Sequence, residues 1–218
     1  MTPTPSARRP LKSRDTRWAR ALTAMLVRHR VSPNLISLVS VVFAALGAAA
    51  LLALPAVSPP MTRAGLLVGA AACVQLRLLC NLLDGMVAVE GGLGSRSGEV
   101  WNDLPDRIAD PLFLVSAGYA TGFHFGPELG WAAGLLAVFT AYVRLLGGAA
   151  GLTQCFTGPM AKPHRMAMLT ASLLLAAAVT PWQWDAVVLA VGLTLVVIGT
   201  LLTVARRTAA IVKELETK

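Results

Sequence analysis

The chain has 218 residues, 56% of them hydrophobic, and a formal net charge of +8; its mean hydropathy is +0.65. So apolar a composition excludes a soluble domain with an ordinary surface and defines an all-α, polytopic membrane protein. The positive charge gathers in the N-terminal arm and beside the ends of apolar runs, which suits anionic lipid headgroups and control of orientation and argues against a nucleic-acid partner.

In chain order, residues 1–12 mix prolines, serines and cations and read as a disordered basic tail. Residues 13–31 form a juxtamembrane amphipathic helix: Trp18, Leu22, Met25 and Leu26 recur at helical spacing, with Arg14, Arg17, Arg28 and Arg30 largely on other faces. Ser32-Pro33-Asn34 ends that helix and starts the next. Leu35 to Val57 carries no charge and is a first span. Pro59-Pro60 makes a turn, and Ala64 to Ala88 is a second span that contains Arg77, Asn81 and Asp84.

A glycine-rich loop from Glu90 to Gly98, with Arg96 as its cation, leads to a third span from Glu99 to Gly122. Pro105 and Pro111 lie inside it and remove backbone donors, so a kink is expected. A fourth span covers Leu129 to Gly148 and holds Arg144 near its end. The loop Ala149 to His164 brings Lys162, with His164 and Arg165 adjacent. Met166 to Thr180 is a short fifth span, anchored by Trp182 and Trp184. Ala186 to Ala205 is the sixth, and residues 208–218 read as a cytosolic tail. Basic loops alternate with nearly uncharged ones. Six spans with both termini and the polar cluster cytosolic satisfy that pattern, and residues 32–207 form one membrane domain. The expected location is a bacterial inner membrane. Cys73, Cys80 and Cys155 have no metal or disulfide spacing. Gly118-x-x-x-Gly122 and Gly147-x-x-x-Gly151 are close-packing motifs within one subunit or between two.

Residues Asn81 to Asp110 carry the chemistry. Asn81, Asp84 and Ala88 share one helix face, and Asn102, Asp106 and Asp110 share another. Gly85 and Gly98 sit beside those faces and leave room for a helix or a ligand. Carboxylates at membrane depth are costly, about 2.5–3.5 kcal/mol each on the mildest scale, and usually mark a pathway or a site. Arg77 lies one turn before Asn81 on the same face, as a site residue or as a structural partner of Asp103, Asp106 or Asp110.

The order Asn81-x-x-Asp84-Gly85-x-x-Ala88, then Gly98-x-x-x-Asn102-x-x-x-Asp106, resembles the signature of the CDP-alcohol phosphatidyltransferase superfamily. That signature is D-x-x-D-G-x-x-A-R, about eight residues, then G-x-x-x-D-x-x-x-D. Asp84, Gly85, Ala88, Gly98 and Asp106 match it. Asn81 and Asn102 stand where it has Asp, and Val89 where it has Arg.

The resemblance implies six transmembrane helices behind a cytosolic amphipathic helix, and a homodimer. It implies transfer of a phosphatidyl or related group from a CDP-alcohol, such as CDP-diacylglycerol, to an acceptor hydroxyl with release of CMP. By position, Asp106 is the general base, and Asn81, Asp84 and Asn102 are ligands of Mg²⁺ or Mn²⁺. Losing two carboxylates suggests a single ion, with Asp103 as a substitute ligand if the helix bends at Pro105. Gly85, Ala88, Gly98, Arg77 and Arg96 fall on the nucleotide side, and Arg144, Lys162, His164 and Arg165 on the acceptor side. Two other readings stand beside this one. A weakened homologue would bind nucleotide or lipid without turnover. A transporter would spread its charges through several spans, whereas these gather at one membrane face.

Overall fold

The computed structural model describes residues 16–94 and 97–217; the N-terminal tail, Arg14 and Arg96 lie outside them. Seven α-helices follow in order: α1 (Arg17–Arg28), α2 (Pro33–Ala53), α3 (Pro60–Glu90), α4 (Gly98–Ala120), α5 (Gly126–Ala149), α6 (Lys162–Val179) and α7 (Asp185–Glu216). Short 3₁₀ turns extend α2 at Leu54–Ala56 and α6 at Thr180–Trp182.

The helix starts follow local chemistry. Ser32 caps α2, its Oγ accepting from the Leu35 amide at 3.2 Å, and Pro33 and Pro60 open α2 and α3 where a missing N–H costs nothing. The α7 helix does not stop at the apolar run but continues through Arg206 and Arg207 to Glu216.

The packing contacts close into a ring. α2 packs between α3 and α4, α4 packs on α5, α5 on α7, α7 on α6, and α6 returns to α3. Leu51, Leu67, Val74, Phe113, Leu114, Leu173, Leu189 and Leu193, all buried, fill its middle. α3 and α4 therefore flank α2 and face each other mainly through polar residues.

Five helical segments are long and apolar enough to cross a membrane: Pro33–Ala56, Pro60–Glu90, Gly126–Ala149, Lys162–Trp182 and Asp185–Glu216. α4 is outside that set because of its charges, although its 23 residues are of spanning length. It is amphipathic in an unusual sense. Trp101, Leu104 and Ile108 point outward, while Asp106 and Asp110 are buried. The helix runs through Pro105 and Pro111 without a break.

α1 packs across the end of α3. Ala19 meets Leu82 and Met86, while Leu22, Leu26 and Val27 cover Ile36, Cys80, Leu83 and Val87. The apolar face expected of this helix therefore divides: Leu22 and Leu26 turn to the protein, and Trp18 and Met25 stay about half exposed. The small-residue motifs act within the chain. A Cβ on Gly118 would lie 2.7 Å from the Gly130 Cα, so α4 and α5 touch backbone to backbone there. Gly122 and Gly151 instead take positive φ in turns.

Candidate functional site

The loop that joins α3 to α4 brings their polar faces together at one end of the ring. Asn81 Nδ2 donates to Asn102 Oδ1 at 3.4 Å across the gap. Lys162, the first residue of α6, donates to Asn81 Oδ1 at 2.7 Å and also pairs with Asp106 Oδ2. Thus Asn81, Asn102, Asp106 and Lys162, from three helices, meet at one point.

Beneath them lies a buried ionic floor. Arg77 is fully buried, and its Nη2 sits 2.5 Å from Asp106 Oδ1 and 2.9 Å from Asp110 Oδ1. Arg165, 1% exposed, pairs with Asp110 Oδ2 at 2.6 Å. Lys162 and Arg165 thus both face the cluster, as their spacing of three residues allows. Of the two roles open to Arg77, the structure displays the pairing with Asp106 and Asp110. Both arginines are closed off from solvent and hold the carboxylates. Arg77 Nε and Nη1 and Arg165 Nε lack hydrogen-bond partners among the described residues, which leaves donors unspent at this depth.

Asp84 differs from its neighbours. It is 3% exposed, and its carboxylate accepts from Ser37 Oγ at 2.6 Å and from the Gly85 amide at 2.6 Å. Among the described residues no cation forms an ion pair with it. A buried carboxylate without a countercharge is strongly disfavoured. Its remaining lone pairs, with the side-chain amides of Asn81, one turn earlier on α3, and of Asn102, hydrogen-bonded to Asn81, offer hard oxygens of the kind that suits Mg²⁺ or Mn²⁺. No group of three or more His, Cys, Asp or Glu residues capable of holding a metal occurs among the described residues. The donors thus fit an ion through two amides and a carboxylate rather than through a cage of carboxylates.

Asp103 turns elsewhere. One residue along from Asn102 is about 100° around the helix, and its carboxylate is taken by Arg107 at 2.8 Å and Arg144 at 2.9 Å. The structure therefore does not bring it to the Asn81–Asp106 point as a substitute ligand. Arg144 is further fixed by Gln154 Oε1 at 2.9 Å and by the Phe156 ring, 5.1 Å from its guanidinium carbon. Arg107 was not singled out from the sequence; its place four residues after Asp103 is the signal that could have found it. Ser37 is a second such residue, one of two serine hydroxyls, with Ser40, in an uncharged span. Ala88 and Gly98 are partly exposed near the rim, and His164 is exposed, on the far side of the first turn of α6 from Lys162. Arg96 lies outside the described residues.

The loop before α6 is pinned to α7. Arg207 donates to the carbonyls of Thr157 and Thr140, each at 2.8 Å, and the Met160 amide donates to Thr203 Oγ1 at 2.9 Å. These contacts fix where α6 begins and so where Lys162 stands.

The class so defined is a ring of long apolar helices with a charged, oxygen-rich site at one end. Solved structures share the fold. Phosphatidylinositol phosphate synthase of Mycobacterium tuberculosis with CDP-DAG bound superposes with a TM-score of 0.71 at 22% identity, covering 90% of this chain and 94% of that one. The same protein in complex with manganese and citrate gives a TM-score of 0.70 at 22% identity, over 88% of each chain. Its apo form gives 0.68 at 22% identity, over 87% and 93%. The chain has this fold. No family model matches the sequence, and no curated protein does.

Proposed function

We propose that this chain is a CDP-alcohol phosphatidyltransferase: an integral membrane enzyme that moves a phosphatidyl or related group from a CDP-alcohol, such as CDP-diacylglycerol, to an acceptor hydroxyl and releases CMP. The observation that carries the reading is Asp84, a buried carboxylate with no ion-pair partner among the described residues, followed by Asp106 at the spacing of the resembling signature. The shared fold with a synthase whose structures contain CDP-DAG, or manganese and citrate, supports it. α4 acts as the sixth span, since its outward residues are apolar and its charges face the ring. α1 lies at the membrane interface through Trp18 and Met25. The site opens to the cytosol, and a homodimer is the expected assembly.

In this reading Asp106 takes the proton from the acceptor hydroxyl. The acceptor oxygen forms a bond to the donor's lipid-side phosphorus, the bond from that phosphorus to the bridging oxygen breaks, and its electron pair leaves with CMP. Arg77 and Lys162 hold the Asp106 carboxylate in place for this transfer. A bound Mg²⁺ or Mn²⁺ would neutralise charge on the pyrophosphate as it departs. Asp84, Asn81 and Asn102 would hold it. Gly85, Ala88 and Gly98 leave space for the nucleotide. Arg144, Arg107 and Lys162, each partly open to solvent, suit an acceptor that carries a phosphate.

The test is CMP release by purified protein in detergent, supplied with CDP-diacylglycerol, Mg²⁺ or Mn²⁺ and, in turn, glycerol 3-phosphate, inositol, inositol phosphate and serine. Metal-dependent release with a phosphorylated acceptor is expected. Tight CDP-lipid binding with no release from any acceptor would favour the weakened homologue.

A further inference from the structure

We propose that the Lys162 ammonium is a built-in cation that takes the place of one metal ion, so that the site binds a single divalent ion per chain. This rests on the transferase reading and deepens it. The geometry is the first ground. The ammonium bridges Asn81 Oδ1 on α3, at 2.7 Å, and Asp106 Oδ2 on α4. Joining oxygens of these two facing helices is the work of a cation, and here a side chain does it.

The charge balance is the second ground. Asp84, Asp106 and Asp110 stand with Arg77, Arg165 and Lys162, so the formal charges of these six cancel, and Asp103 with Arg107 and Arg144 beside them leaves one positive charge more. One divalent ion adds the two positive charges that a pyrophosphate diester's two negative charges match. A second would leave excess positive charge in a buried, low-dielectric place, where repulsion is strong. Asn81 and Asn102 fit the same accounting, because each keeps a donor oxygen and contributes no charge.

The third ground is where Lys162 sits. It opens α6, and the first turn of that helix has no acidic residue. A cation there opposes the helix dipole. The chain nevertheless holds it in place, through Arg207 on the Thr157 carbonyl and Thr203 on the Met160 amide. A local rule broken this firmly points to a role for the charge.

The experiment counts bound Mn²⁺ by electron paramagnetic resonance on the full chain in detergent, with CDP present. Wild type should bind one Mn²⁺ per chain. Lys162→Arg should keep that count. Lys162→Gln should tighten Mn²⁺ at least about tenfold, because a repelling unit charge is gone. Asn81→Asp and Asn102→Asp combined with Lys162→Gln should raise the count to two. Two ions in wild type, none in wild type, or an unchanged affinity in Lys162→Gln would each overturn the proposal. The wild-type count stands even where a variant fails to fold. The count needs no turnover. One ion without CMP release would sink the transferase reading alone, and two ions with CMP release would sink this one alone.

Discussion

The two ends of α3 each carry a buried ionic group, and they are built differently. Near its start, Arg63 donates to Asp185 Oδ2 at 3.0 and 2.5 Å and to the carbonyls of Leu54 and Val57 at 2.8 and 2.9 Å. One cation meets one carboxylate and closes the turn after α2 at the same time. About 20–30 Å further along the helix, Arg77, Asp84, Asp106, Asp110, Lys162 and Arg165 form an open arrangement. There Asp84 has no ion-pair partner among the described residues, and several buried donors stay unused. A closed ion pair tethers elements. An open one, held at the same depth, leaves capacity for a ligand.

Substitutions at the two ends should therefore fail in different ways. The largest effect is expected at the open end. Asp84→Asn and Asp106→Asn should each lower CMP release by about 10²–10⁴-fold while the protein stays folded by thermal melting in detergent. Equal loss of folded protein would erase the distinction between the ends. At the closed end, Arg63→Ala leaves Asp185 buried and unpaired and should cost about 3 kcal/mol of stability. Its melting temperature should fall, while CDP binding by the folded fraction is unchanged. A selective loss of CDP binding would break the comparison.

Smaller effects sharpen it. Arg144→Ala should raise KM for a phosphorylated acceptor about tenfold, the scale of one charge-assisted hydrogen bond, and leave a neutral acceptor's KM alone. Asp103→Asn should change Mn²⁺ affinity by less than about threefold, since Arg107 and Arg144, not the oxygen cluster, hold that carboxylate; a large loss would return it to the metal. His164→Ala, on an exposed side chain, should leave CMP release within about twofold, as surface changes usually do.

The sequence carried much of this in its spacing. Asn81, Asp84, Asn102 and Asp106 lie three and four residues apart, so helical periodicity alone puts each pair on one face. The apolar runs located four of the five membrane-length segments within a few residues, and the start of the fifth, whose helix runs on past the expected end at Ala205 to Glu216. What spacing could not supply is contact between distant segments. Ser37 reaches Asp84 across 47 residues, and Lys162 reaches Asn81 across 81. The closed pair of Arg63 and Asp185, 122 residues apart, is of the same kind. Periodicity also left α1 half read, because it reports an apolar face without saying which of its residues meet lipid and which meet α3.

The central claim is that Asp84 is a carboxylate waiting for a divalent cation at a phosphoryl-transfer site. It is tested most directly by CMP release from CDP-diacylglycerol by wild type and by Asp84→Asn, each stripped with EDTA and then titrated with Mn²⁺. The account predicts no release from stripped wild type, full recovery with Mn²⁺, and no recovery in Asp84→Asn at any Mn²⁺ concentration. Release that survives EDTA, or an Asp84→Asn variant that recovers like wild type, would contradict it.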